Sequence, residues 1–396
     1  MKKMMVAGIA SLAAVPLMAG LYGDTPDAKH AWAVHDWNRP KPAKVEVDAK
    51  GVPSDAIVLF DGTKESFEKN WQSDKGGAPT WKCENGMFSS KEGWGLGSVR
   101  TKAEFGDCQL HIEYMHPADT KSLGGPQMRG NSGVFLMGPQ YGYEVQVLES
   151  YYTSREMDGK EGFVDNYTDG QAGSVYAENP PMVNPQRKPG EWQVYDIVFH
   201  QPVWEGDKLL HPGSITVFFN GVLVQDHWEM EGQTTHCKRR PLKPHPKKGP
   251  LSLQDHGCPV NYRNIWIREI PSRWDNKTHS AMSADTAEVM KLRGETAERL
   301  FAKVDMSKPD SAKTVQDLLE VVSYSKDAKY MDALKKSCDA FKARIEGLDD
   351  SALNKARGEV TGVSKALEVL RRNNVFEKDC DFCTFVKDLC QKKGWK

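Results

Sequence analysis

Between residues 55 and 271 the hydrophobic positions fall in short runs rich in β-branched and aromatic side chains. The runs are AIVLF, CQLHIEYM, SGVFLM, YEVQVLE, QVYDIVFHQP, SITVFFNGVLVQDH, GPLSLQDHG and RNIWIREI, and Gly, Pro, Asn and Asp separate them. This alternation predicts an antiparallel sandwich or barrel. Asn220-Gly221 lies between two apolar runs, which predicts a two-residue hairpin turn. From about Ser280 the spacing becomes helical, as in SADTAEVMKLRGETAERLFAKV and TVQDLLEVVSYSKDAKYMDALKKSCDAFKARI. A separate all-α domain of about four helices is expected over residues 280–396. Its charges read as solvated helix faces, it shows no catalytic constellation, and nothing in it identifies a partner. Residues 24–54 are polar and hold Pro40, Pro42 and Pro53, as an extended arm lying against the next domain would.

The start of the chain follows another logic. Lys2 and Lys3 precede an apolar run, Met4–Met18, and then the small residues Ala19-Gly20. Charged, apolar and small segments in that order predict a signal peptide over residues 1–23, and so a periplasmic or secreted protein. An uncleaved anchor is the alternative. No later run reaches the ~18 apolar residues of a membrane helix, so no membrane span is expected. The 396 residues, 39% hydrophobic and 27% charged, leave room for two or three domains. A net charge of −1 gives no overall attraction to nucleic acid or anionic membranes. The 8 cysteines divide evenly between the two large segments, which in an exported protein suits disulfides within each domain. Cys380, Cys383 and Cys390 would serve as thiolate ligands only with a fourth ligand and a reducing site.

Candidate chemistry centres on RGNSGVFLMGPQYGYEVQVLES, residues 129–150. Strand side chains alternate faces, so Glu144 and Gln146 share one face while Val145 and Val147 take the other. Glu149 would join the polar face only through a bulge near Val147-Leu148. The spacing Glu-x-Gln-x-x-Glu resembles the Glu-x-Asp-x-x-Glu strand of jelly-roll β-glucanases, with Gln146 where the central Asp stands. A half-exposed strand with a solvated face fits the same spacing. Arg129 and Asn131 enter the neighbouring strand and offer donors and an acceptor. Gln254, Asp255 and His256 end another strand, and there Asp255 would orient His256 as a base. Turn chemistry explains either loop equally well. HCKRRPLKPHPKK, residues 236–248, is a basic loop that would cover a site, meet acidic glycans or simply be solvated. Phosphate loops, nucleophile elbows and zinc-protease motifs are not found.

PSDAIVLFDG, RTKAEFGDCQLHIEY, RGNSGVFLMG, YEVQVLES, DGQAGSVY, RKPGEWQVYDIVFHQP, FFNGVLVQDH and GPLSLQDHGCPVNYRNIWIREI occur in this order. Together they resemble the 3-keto-disaccharide hydrolase domain family over about residues 50–271. HDWNRPKP is similar to arms that precede such domains. The resemblance implies a concanavalin A-like jelly roll, mainly β, and cleavage of a small-molecule or oligosaccharide substrate whose 3-hydroxyl has become a ketone. A 3-keto group acidifies the C2 hydrogen, so a base can remove it, the C1 oxygen can leave, and water can add to the resulting enone. That route needs one base, one acid and donors for the enolate. By residue chemistry, Glu144 or His256 is the base. Arg129, Asn131 and Gln146 hold the sugar or stabilise the enolate, Gln254 binds the substrate, and Glu149 or Asp255 protonates the leaving oxygen or orients a neighbour. A divalent ion held by Glu144, Glu149, Asp255 or His256 is a possible cofactor. Direct paired-carboxylate hydrolysis by Glu144 and Glu149, and a non-catalytic carbohydrate-binding jelly roll, are the competing readings.

Overall fold

A computed structural model of the chain describes residues 23–91, 95–119, 125–138, 142–153, 159–161, 163–271, 286–376 and 380–395. The leader expected over residues 1–23 lies, but for Gly23, outside the described residues. Two compact units result, one of Lys44–Asp275 and one that joins residues 23–43 to the C-terminal helices.

The first unit is β. Its strands are β1 (Ile57–Phe60), β2 (Trp71–Ser73), β3 (Lys82–Glu84), β4 (Met87–Ser89), β5 (Val99–Phe105), β6 (Cys108–Met115), β7 (Ser132–Leu136) and β8 (Tyr143–Val147). There follow β9 (Gln193–His200), β10 (Val203–Glu205), β11 (Lys208–His211), β12 (Ser214–Phe219), β13 (Val222–Glu229), β14 (Gly249–Leu253) and β15 (Asn261–Glu269), and one short helix, α1 (Lys64–Asn70), lies after β1. The larger sheet runs β13-β12-β9-β6-β15-β4-β3, with β1 also on β15, and the second runs β2-β5-β14-β7-β8. Their pairings are antiparallel.

Period-two sequence explains how they pack. In β6, Cys108, Leu110, Ile112 and Tyr114 are buried while the residues between them are only half-buried, and β9 repeats the pattern. Those inward residues form one core with Val134, Leu136, Val145, Val147, Leu251 and Leu253 of the second sheet. Two hydroxyls tie the layers together: Tyr195 donates to the Gln146 carbonyl at 2.8 Å and Tyr262 to Ser132 Oγ at 2.8 Å. The β12–β13 hairpin turns at Asn220 and Gly221, with φ of 51° and 80°, as the left-handed positions of a tight hairpin require. The expected sandwich is therefore present.

The second unit holds α2 (Thr286–Phe301), α3 (Ala312–Tyr324), α4 (Ala328–Glu346), α5 (Asp350–Lys355), α6 (Arg357–Arg372) and α7 (Asp381–Lys392). Among the described residues six helices replace the expected four, because two of the long periodic stretches are each divided in two. Asp327 accepts from the Lys329 N–H to start α4, and α5 gives way to α6 at Ala356, which supplies no side-chain cap. The arm is also divided. Residues 23–43 pack on these helices, where Asn38 donates to Glu320 at 2.6 Å and Tyr324 donates to Asp36. Pairing of the cysteines within a domain is observed once, in the C-terminal half, and not in the β unit. The described residues hold one disulfide, Cys380–Cys383, and the other six cysteines are thiols, four of them buried as apolar side chains. No helix among the described residues is long and apolar enough to cross a membrane.

Ile197 is fully buried between the sheets. Ile197→Ala is expected to destabilise the β unit by about 2–5 kcal/mol, measured as the shift of its denaturant unfolding midpoint.

Candidate active site

β8 is the outermost strand of the second sheet, yet every residue in it is buried. Two segments cover it. Gln146 N–H donates to Ser174 O, Gly173 N–H to Gln146 O and Tyr176 N–H to Glu144 O, so residues 173–176 satisfy its free edge. Thr234 Oγ1 accepts from the Glu144 N–H at 2.9 Å, and the Thr234 N–H reaches Gly142 O. Val145 and Val147 face the core, and Glu144 and Gln146 face away from it under these loops.

The space on that side is a cavity of about 220 Å³. Asn131, Phe135, Glu144, Gln146, Gln254 and His256 line it from the sheet, and Tyr176, Thr234, Thr235 and His236 from the covering segments. Gly133, on β7 beside β8, makes room for the carboxylate: a Cβ there would sit 2.1 Å from Glu144 Oε1. Among the described residues the Glu144 carboxylate has no hydrogen-bond or ion-pair partner. Burial alone pushes its pKa from the usual 4.5 up to about 8. Gln146 Oε1 is likewise buried without a donor, while its Nε2 lies 3.4 Å from Asn131 Oδ1. Asn131 in turn donates to Gln127 O at 2.7 Å. Burial lowers the His256 pKa, which keeps the ring neutral.

A profile of the family described as "3-keto-alpha-glucoside-1,2-lyase-like domain" matches residues 55–268. The chain belongs to this family. A search of curated proteins finds no match. Among solved structures, a Parabacteroides distasonis protein provisionally named a glycosyl hydrolase is 38% identical, with a TM-score of 0.52, over 61% of this chain and 98% of its own. A second P. distasonis structure of the same description is 21% identical, with a TM-score of 0.38, over 55% and 94% of the two chains. A third is 20% identical, with a TM-score of 0.38, over 54% and 99%. The chain thus carries a carbohydrate-active domain of the glycosyl hydrolase-like kind.

Within this family domain the expected site residues separate into two groups. Glu144, Gln146, Asn131, Gln254 and His256 meet at the cavity. Arg129, Glu149 and Asp255 do not line it. β8 keeps unbroken register with β7 up to its end at Val147, and Glu149, beyond that end, does not reach the cavity. Instead Glu149 forms a buried ion pair with Arg129 at 2.8 Å and accepts the Tyr151 N–H. Burial raises the Glu149 pKa and the Arg129 guanidinium opposes that rise. Asp255 does not orient His256 by a hydrogen bond: its oxygens accept the N–H groups of Gly97 and Gly257, which braces the turn after β14. The divalent-ion donor set is therefore dispersed, with only Glu144 and His256 left at the cavity, and no group of three or more metal-binding side chains occurs among the described residues.

Tyr176 and His236 were not picked out from the sequence. Tyr176 O–H and His236 Nδ1 lie 2.9 Å apart, and a second 2.9 Å contact joins Tyr176 to Tyr167. Burial pushes the Tyr176 phenol well up, so it keeps its proton. The available signals were the ends of two motifs, since Tyr176 closes DGQAGSVY and His236 opens the basic loop.

Because the folded pKa of Glu144 exceeds the ordinary value, the native state holds this proton more tightly than the unfolded chain. Its contribution to stability is complete below about pH 4.5 and is lost as pH rises through about 8. Glu144→Gln escapes that loss. Thermal melts should show the variant gaining on the parent between pH 5 and pH 8.5.

Proposed function

We propose that this domain cleaves 3-keto-glycosides by removing the C2 proton with Glu144, expelling the C1 oxygen and hydrating the enone. The observation that carries this reading is the lone buried carboxylate. Glu144 is the only acidic side chain among the described residues lining its cavity, and no partner weakens its basicity. Paired-carboxylate hydrolysis needs a second carboxyl across the scissile bond. Glu149, the residue available for that task, is held by Arg129.

The step balances as an elimination. Glu144 takes the C2 proton, and the C2–H electrons form the C2=C3 bond of an enolate, with negative charge on the C3 oxygen. The amide donors of Gln146 and Asn131 face the side where that charge develops. The C3 carbonyl then re-forms, C1=C2 forms, and the C1–O bond breaks. Tyr176 donates its phenolic proton to the leaving oxygen, and His236 Nδ1 holds the phenol in place. Neutral His256 accepts a proton from water as the water oxygen bonds to C1, Glu144 returns its proton to C2, and the proton held by His256 passes through solvent to the Tyr176 phenolate, which restores both groups. The unpartnered Gln146 Oε1 receives a sugar hydroxyl. The scattered donor set gives no support for a metal, and no step is routed through one. The N-terminal Lys-apolar-small pattern supports export to the periplasm or exterior as the setting.

The test is release of sugar from a 3-keto-glucoside and from its unmodified parent, with and without chelator. Turnover of the keto substrate alone is expected, unaffected by chelator; turnover of the unmodified sugar would overturn the reading. Glu144→Gln should lower kcat by about 10²–10⁴. The kcat/KM of the parent enzyme should rise with pH and level off above about 8, because the base works ionised. Glu149→Gln should lower Tm, since it removes the carboxylate of a buried ion pair with Arg129, but keep kcat in the protein that remains folded.

A further inference from the structure

The Tyr176–His236 pair forms one side of the Glu144 cavity. A second cavity of about 350 Å³ shares both of these residues and continues past Tyr167, Asp169, Lys238 and Arg239. A third, of about 240 Å³, shares Tyr176, Lys238 and Arg239 with the second and adds Arg240. The first space suits one pyranose ring, so whatever is bonded to C1 of that ring extends into the second.

The chemistry changes along this path. The Glu144 cavity has one carboxylate and no Lys or Arg. The second has Lys238 and Arg239 against the single carboxylate of Asp169. Among the described residues Lys238, Arg239 and Arg240 make no ion pair. Glu178, the half-buried acid of the third cavity, is already occupied by Trp228 Nε1 and by the N–H groups of Glu231 and Gly232. Cys237 has φ of 57°, a left-handed turn residue that redirects the chain between His236 at the cavity wall and the two cations beyond it. Tyr167 is 43% exposed and held edge-on to Tyr176, so it presents a fixed aromatic face to the same space.

We propose that the second cavity is a leaving-group subsite for an anionic saccharide, bearing a carboxylate, sulfate or phosphate, with Lys238 and Arg239 as the cations and Tyr167 as the stacking face. The inference rests on the reading of Glu144 as the centre of cleavage, because that places the leaving group on the Tyr176 side. Solvent-exposed cations give modest attraction, so the preference is about tenfold and sensitive to salt.

Binding of unoxidised glucosides by titration calorimetry at low salt tests the subsite without turnover. Glucuronate-, sulfate- and phosphate-bearing glucosides are compared with the neutral parent on the full chain. At least one anion should bind about tenfold tighter than the neutral glucoside. Lys238→Gln combined with Arg239→Gln should abolish that preference and leave neutral binding unchanged, which also shows that the variant is folded. Anionic glucosides that bind no better than the neutral one, or a preference that survives in the double variant, would overturn the proposal. Failure to cleave any keto-glycoside would count against the proposed function alone.

Discussion

A carboxylate moved out of water without a partner resists ionisation, and the penalty falls on the fold that buries it. β8 accepts this penalty at Glu144. Gly133 clears the space, the chain from Ser174 to Tyr176 seals the strand edge, and Thr234 binds the Glu144 backbone while leaving its carboxylate alone. The valines on the opposite face lock β8 into the common core, so the carboxylate cannot swing out to solvent without disrupting that packing. The cavity, the altered acidity and the edge cover all follow from this one placement.

Nearby buried charges show what a structural solution looks like. Glu149 has Arg129 and a backbone N–H, Asp255 has two backbone N–H groups, and Glu178 has an indole and two N–H groups. Each is compensated, as buried polar groups in a stable fold are. The Glu144 carboxylate differs from these three in lacking a partner among the described residues, and the unpartnered Gln146 Oε1 faces the same cavity. A carboxylate and an amide oxygen left open toward one cavity suit a place where a ligand completes the hydrogen bonding.

Much of this was readable from local pattern. Alternation in CQLHIEYM and QVYDIVFH, the Asn220-Gly221 turn and the shared face of Glu144 and Gln146 depend on neighbours in sequence, and the structure contains each of them. The fate of Glu149 was not readable, because it depends on Arg129 arriving from another strand entry. Asp255 likewise depends on Gly97, distant in sequence. Tyr176 and His236 reach the cavity through loops whose paths no periodicity encodes. The number of helices was misjudged where Asp327 caps a new helix and where α5 gives way to α6 at Ala356, both inside continuous apolar periodicity.

The most direct measurement of the central claim is an isotope competition on a 3-keto-glucoside labelled with deuterium either at C2 or at C1. If Glu144 removes the C2 proton, deuterium at C2 slows cleavage relative to the protium substrate far more than deuterium at C1 does. A C2 label without effect, together with slowing by the C1 label, would show bond breaking at C1 without proton abstraction and would contradict the account.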